Sequence, residues 1–397
     1  MTDFAIEPTV IALCQRLIRQ PSVSGHEGDV ARVLRSFFTE VRAGTIDVDR
    51  YGNLLVTLKG RHPGPTILFD GHIDTVPVPD PSVWIHDPFG GVIDGDRLYG
   101  RGATDMKGAV AAMSVAAARY WHDTRGDFAG TIVIAGVVHE EIFEGVAPRL
   151  ISQNVRPDVV VIGEATHLNL NIGQRGRAEI QLVSHGTSAH SANPEKGYNA
   201  IYPMTEAIRR IHALEPVEHP KLGRGILELT DIKSSPYPGT SVVPSMCKAT
   251  YDRRLLPNET RESVLRPLQS ILDRVRHDLP KSHLEVGFAH GEARCYTGAV
   301  IASERFFPGW IYDENRWFVQ TPLRALRSHG FDAPIAYYSF CTNGSHYTGE
   351  AHIPTIGFGP SEESLSHIVD ESIELDQLIR AAEGYTHIMR AFTEHKQ

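Results

Sequence analysis

The stretch TILFDGHIDTVPV, residues 66–78, runs from an apolar strand straight into Asp70, His72 and Asp74. Thr66 to Phe69 reads as a buried strand of an α/β sheet, where both faces are covered and the apolar run is continuous. A polar group left dry and unpaired at the mouth of such a strand costs roughly 2–7 kcal/mol, so these three need partners. The neighbouring segments have the same character. LLVTL (54–58), TIVIAGVV (131–138) and DVVVIG (158–163) read as further strands. Val30, Val33, Leu34, Phe37, Phe38 and Val41 fall on one helical face, and a small-residue helix is predicted over 106–121. Helix and strand patterns alternate, which predicts an α/β catalytic domain built on an open sheet with covering helices.

The pattern changes after NIGQRGR (171–177). Strands are predicted at 178–185, 226–233, 247–255 and 283–288, with helices at 199–214 and 261–275. That β-α-β-β-α-β order resembles a ferredoxin-like α+β sandwich. Beyond about residue 290 the first style returns, with a helix near 317–328, strands near 334–338 and 354–358, and a closing helix at 374–392. The expected organisation is a large domain of residues 1–173 and 291–397, interrupted by a small inserted domain of residues 174–290.

Composition narrows the function classes. The 397 residues exceed what one core supports, which predicts two or three domains. A formal charge of −9 and the lack of any Lys/Arg block give no reason to expect a nucleic-acid partner. No run approaches 18 apolar residues, and MTDFAIEPTVIALCQRLIRQ lacks the features of a signal peptide. Cys14, Cys247, Cys295 and Cys341 are scattered without disulfide or CxxC spacing, so a cytoplasmic location is expected.

The chemistry concentrates where polar residues end apolar strands. His72 and Asp74 end the first, His139, Glu140 and Glu141 follow TIVIAGVV, and Glu164 follows DVVVIG. Asp105 lies in the Gly-rich GRGATDMKG (100–108), and His367 lies in SLSHIVDE near the C-terminus. In open α/β sheets ligands sit outside the carboxyl ends of strands, so these groups can share one cleft. Histidines and carboxylates in excess of one ion's needs suit two divalent ions about 3.5–4 Å apart. Asp74, two residues from His72, is placed to fix the imidazole tautomer. Each residue also has an ordinary reading. A strand-end His is commonly solvated, Asp105 is placed to cap a helix, Glu140–Glu141 can be an exposed pair, and Glu164 can be a turn residue.

With these motifs in hand, the chain resembles the aminoacylase, acetylornithine deacetylase, succinyl-diaminopimelate desuccinylase and carboxypeptidase G family of dinuclear metallohydrolases. The carriers are LFDGHIDTVPV, WIHDPFGGVIDGDRLYGRGATDMKGAVAAM, VVHEEIFEG, VIGEAT, SHGTSAHSANPEKGYNAI, DRRLLPNET and IPTIGFGPSEESLSHIVDE. FDGHIDTV and CTNGS are similar to the selenium-metabolism-linked hydrolase branch. The resemblance implies that His72 and Glu164 hold one metal, Glu141 and His367 the other, and that Asp105 bridges both. Asp74 would orient His72, and Glu140 would be the general base, with strand alternation pointing Glu140 and Glu141 to opposite sides. The ions implied are zinc, with cobalt or manganese as alternatives. A metal-bridging hydroxide would attack the amide bond of an N-acyl amino acid. The inserted domain would act as lid and homodimerisation unit and carry His190, in HSANP, across to the partner's oxyanion. Arg254 and Thr342 would contact substrate.

The chain departs from the family pattern at Asn343 and Gly344, at Ser241, and at His139, so a named substrate does not carry over. His346 and His352 are either pocket residues or bystanders. Two alternatives stay open: a dipeptidase or carboxypeptidase with the same metals, and a metal-binding homologue without catalysis.

Overall fold

The computed structural model describes residues 5–394. The outer limits expected at residues 1 and 397, and the first four residues of the signal-peptide reading, lie outside the described residues. Among the described residues, nine strands form one mixed sheet. Its order runs Thr45–Val48, Leu54–Lys59, Ala129–Val137, His62–His72, Val159–Ile162, Thr355–Gly357, Leu170–Gln174 and Trp310–Ile311, with Ile335–Tyr338 also paired to Leu170–Gln174. The strand that carries the opening stretch is central and parallel to both neighbours: His72 pairs with Val137, and Asp70 with Ile162. Ile67, Leu68 and Phe69 are wholly buried. Three parallel strands therefore end side by side, and whatever follows them converges.

The helix predicted from 106 begins at Gly108 and runs to Thr124, because Ala103–Lys107 forms a wide turn that is not α-helical. Its alanines at 109, 111, 112, 116, 117 and 118 are all buried. Buried on almost every side, it packs against Ile6–Ile18 and Leu375–Thr393. Trp317–Ser328 matches its predicted bounds. Three small sheets among the described residues were not anticipated: one joins Val92–Asp94, Arg97–Tyr99 and Ser372–Glu374, and the others are the hairpins Glu218–His219/Gly223–Arg224 and His290–Arg294/Val300–Glu304. Their strands are two to five residues long, too short for a period to show.

The second unit has its own core around Ile180, Leu182, Met204, Tyr251 and Leu272. Strands Ile226–Ser235, Met246–Leu255, Gly176–His185 and His283–Phe288 lie in that order, all antiparallel, with Phe306–Phe307 added to Gly176–His185. Helices Ile201–His212 and Arg261–Asp278 complete the β-α-β-β-α-β order. Burial alternates strictly along Gly176–His185, so one face carries the core and the other is open. The chain passes from the large sheet to the small one at Gly176. A Cβ there would lie 2.3 Å from Gly309 N and Phe307 O, so the outgoing and returning backbones cross too closely for a side chain. Cys295 and Ile301 already belong to the large core, whereas Phe306 packs in the small one.

Candidate active site

The three parallel strand ends and two connecting segments bring the five candidate ligands together. His72 Nε2 lies 2.8 Å from Asp105 Oδ1 and 3.5 Å from Glu164 Oε1. His367 Nε2 lies 3.0 Å from the other Asp105 oxygen and 3.1 Å from Glu141 Oε2. The result is two triads, His72/Asp105/Glu164 and Asp105/Glu141/His367, each with ligand atoms within 4.8 Å of one another, and Asp105 belongs to both. Asp105 does not cap the helix. It sits inside the wide turn, where its two oxygens face opposite imidazoles.

The other two aspartates of the opening stretch have separate roles, and that of Asp74 differs from expectation. His72 Nδ1 donates to the backbone carbonyl of Asp74 at 2.9 Å, while the Asp74 carboxylate is 3.6 Å away. The imidazole is thus oriented by main chain, which leaves Nε2 free to face Asp105 and Glu164. The Asp74 carboxylate instead accepts from Ser24 Oγ, Glu140 N and Glu141 N, at 2.6, 3.0 and 3.2 Å. Asp70 is structural: it accepts from Asn343 Nδ2 at 2.9 Å and Tyr347 OH at 2.8 Å. The expected strand alternation at Glu140–Glu141 also fails. The strand ends at Val137, His139 adopts φ 58°, and Glu140–Ile142 is a 3₁₀ turn. Asp74, by accepting both N–H groups of that turn, fixes which way each glutamate points. Glu141 reaches His367, and Glu140 is buried with Oε1 unpartnered.

A support that sequence reasoning missed lies behind Asp105. Glu371 is fully buried, accepts from Thr104 N and Asp105 N at 3.0 Å each, and pairs with Arg101 Nη1 at 2.5 Å. Arg101 is buried as well. Both residues stood inside quoted motifs, but only an unusual burial of charge distinguishes them, and that is invisible in one sequence. Removing one partner of a buried pair leaves the other charge uncompensated, at a cost of about 3–5 kcal/mol. Glu371→Gln is therefore expected to lower the melting temperature by many degrees in a thermal unfolding scan. A change within about 0.5 kcal/mol, the range of ordinary surface substitutions, would remove Glu371 from this role.

The electrostatics test whether these residues suit metal ions. Burial pushes Glu164 up to about 8 and Glu141 up to about 7, with the Asp105 charge adding to both. Burial also pushes Glu140 well above the carboxylate range, reinforced by Glu164 and Glu144 and opposed by His72. Asp105 is the exception: burial acts upward, yet hydrogen bonds from His367 and His72 hold it below the usual range. The hydrogen bonds that His367 donates to Asp105 and Glu141 push it up to about 10. Carboxylates outnumber imidazoles here, so the protein alone must take up protons to balance the charge. Two divalent cations supply the same balance, and imidazole nitrogen with carboxylate oxygen is a donor set that zinc, cobalt or manganese accepts. The residues fit such ions.

The cleft above the triads has a volume of about 430 Å³. Glu140 forms part of its floor, and Glu144, Arg177, Arg254 and Phe340 form part of its walls. Arg177 was not anticipated. It rises from the small sheet, donates to Glu144 at 2.8 Å and to Asp252 at 2.9 Å, and so ties the two units together beside the cleft. Arg254 lines the cleft, with Nε 2.9 Å from Asp252. Thr342 does not. It is wholly buried, and its hydroxyl donates to Gln174 Oε1 at 2.6 Å and accepts from Gly344 N at 3.0 Å, so no group remains for substrate. His190 is exposed, with Nδ1 accepting from Ala192 N, and does not line the cleft of its own chain. His346 is committed to Ser152 and Glu350, and His352 is exposed. A second hollow of about 210 Å³ lies in the small unit near Leu227 and Leu268, where Arg253 and Glu259 pair with each other.

Comparison with known proteins adds to this geometry. A family model described as Peptidase family M20/M25/M40 matches residues 68–391. Uncharacterized protein YgeY of Escherichia coli (strain K12) is 29% identical over 94% of this chain and 91% of its own length. Succinyl-diaminopimelate desuccinylase 2 of Ruegeria sp. (strain TM1040) is 32% identical over 98% of this chain and 95% of its own. The crystal structure of the Bacillus subtilis YXEP protein, a dinuclear metal binding peptidase from M20 family, matches with a TM-score of 0.71 at 15% identity, covering 96% of this chain and 97% of that one. At that identity the likeness shows a shared fold.

Proposed function

The chain belongs to peptidase family M20/M25/M40, and from that premise we propose that it is a metal-dependent deacylase that cleaves the amide bond of an N-acyl amino acid. Membership makes it a hydrolase of amide or peptide bonds. The observation that carries the mechanism is Glu140, buried on the cleft floor with a free oxygen beside two triads that share Asp105. His72 and Glu164 would hold one divalent ion, Glu141 and His367 the other, and Asp105 both, with zinc the first candidate and cobalt or manganese next. Ions held there lower the pKa of water and polarise a carbonyl oxygen. Glu140 accepts a proton from the attacking water as its oxygen bonds to the amide carbon. As the C–N bond breaks, Glu140 returns that proton to the leaving nitrogen. Asp74 holds the Glu140–Glu141 turn in register through both steps. Arg254, and Arg177 beside it, supply guanidinium groups suited to a substrate carboxylate. The name of the Ruegeria relative supports an acyl amino acid as the substrate class.

The test is turnover of metal-loaded protein on a panel of N-acyl amino acids and dipeptides. Hydrolysis of acyl amino acids that stops with a chelator and returns with metal supports the reading. A preference for dipeptides favours the second reading, a dipeptidase or carboxypeptidase. Glu144 speaks for that one, because its Oε2 is buried without a partner on the cleft wall and suits an ammonium group. No hydrolysis of any amide under any metal would leave the non-catalytic alternative.

The small unit, proposed as lid and dimerisation domain, offers its outer strand Ile226–Ser235 as an edge unpaired among the described residues. Ile226 and Ile232 on that edge and Tyr202 on the adjoining helix are large apolar side chains left exposed. Pairing about a two-fold axis would cover them, and it would let His190 reach the partner's cleft and donate to the developing oxyanion. Mixed dimers of Glu140→Gln and His190→Ala chains are then expected to regain activity, since one site combines an intact Glu140 with an intact His190. Confirmed subunit exchange without any recovery would remove the role in trans. The four cysteines are buried and free, consistent with the proposed cytoplasmic location.

A further inference from the structure

A second cluster of metal-ligating side chains lies on the open face of the small sheet, away from the cleft. His185 and His283 occupy directly opposed positions on the antiparallel strands Gly176–His185 and His283–Phe288. Glu285 is two residues beyond His283, so its side chain emerges on the same side. All three fall on the positions that alternate with the buried core of this unit. The imidazole centroids are 4.8 Å apart with the rings inclined by 30°. His185 Nε2 is 3.6 Å and His283 Nε2 3.3 Å from the same oxygen, Glu285 Oε1. The three ligand atoms lie within 4.8 Å of one another.

We propose that His185, His283 and Glu285 form a separate transition-metal site, suited to zinc, that clips the edge strand His283–Phe288 to its neighbour. Zinc binds imidazole nitrogen at about 2.0–2.1 Å in a tetrahedron, which puts neighbouring ligand atoms roughly 3.3 Å apart. The two nitrogen-to-oxygen separations already match that edge length. An ordinary surface ion pair does not explain the arrangement as well. His185 Nε2 is shielded from water and has no hydrogen-bond partner, although it points toward the carboxylate. Among the described residues, Glu285 pairs with these two histidines and with no Lys or Arg. Two nitrogens aimed at one carboxylate oxygen, one of them dry, make a donor set suited to a divalent ion with a fourth position for water. The strand His283–Phe288 is at the opposite side of the sheet from Ile226–Ser235, so the site does not compete with the dimer edge.

The consequence is local. Sheet edges open most readily, and an ion bound only by the paired strands stabilises the paired state by mass action. The test compares full-length wild type with His283→Asn and Glu285→Gln, each loaded with zinc, freed of excess by gel filtration and analysed for metal by mass spectrometry. Wild type is expected to hold one zinc per chain more than either variant, with hydrolytic activity unchanged. Hydrogen exchange should show zinc slowing the amides of His283–Phe288 in wild type and not in the variants. Because the readout is a difference, a deficit at the Asp105 centre lowers all three proteins alike and does not mimic failure here. Equal zinc content in wild type and both variants, or exchange of that strand indifferent to zinc, would overturn the proposal.

Discussion

Replacing Glu140 with glutamine is expected to leave a folded, metal-loaded protein whose turnover falls by roughly 10²–10⁴-fold, the contribution of a positioned general acid–base group. Glutamine matches glutamate in shape, so the packing of this buried side chain survives. The N–H of residue 140 still donates to Asp74, so the 3₁₀ turn keeps its register. What is lost is an oxygen able to take a proton from water and return it to nitrogen. Glu141→Gln should behave in the opposite way. Glu141 faces His367 at 3.1 Å and belongs to the second triad, so its loss should weaken one ion first and turnover as a consequence. Metal analysis beside steady-state rates separates the two. If Glu140→Gln loses metal while Glu141→Gln keeps it, the two roles are reversed.

Asp105→Ala is expected to have the widest effect of any single substitution at the centre. Asp105 is the one residue common to both triads, with Oδ1 2.8 Å from His72 and Oδ2 3.0 Å from His367. Its removal takes a ligand from each ion at once and leaves two buried glutamates with less compensation. The loss in affinity at each position should exceed the roughly 10–100-fold that follows removal of an outer hydrogen-bond partner. His367→Ala is the contrast, because His72, Asp105 and Glu164 remain intact and one ion should stay. Equilibrium dialysis of both variants reads this directly. Equal metal loss in the two, or retention of one tightly held ion in Asp105→Ala, would show that Asp105 does not bridge.

The parts of this protein that were legible in its sequence are those with a strong local period or an abrupt break in one. The central strands announced themselves as unbroken apolar runs, and the polar residues that ended them are the residues that converge. The small unit was legible because its strands alternate and its helices carry one apolar stripe. Closer roles were not legible, because they depend on which atom of a residue faces inward. Asp74 stands two residues from His72 in either reading, yet its carbonyl meets the imidazole while its carboxylate holds the turn at Glu140. Asp70 called for a partner at the strand mouth, and it has two, Asn343 and Tyr347, which the sequence did not single out for it. Thr342 fell in a suggestive loop and is turned into the core. Glu371 and Arg101 were passed over because charge gives no warning of burial, and Arg177 because its partner Glu144 comes from the other unit.

The central claim is a dinuclear centre bridged by Asp105, and anomalous diffraction at the zinc edge from zinc-loaded crystals tests it most directly. The expected result is two peaks flanking Asp105, roughly 3.5–4 Å apart, one beside His72 and Glu164 and the other beside Glu141 and His367. A single peak at full occupancy, with Glu141 and His367 unengaged, would contradict it.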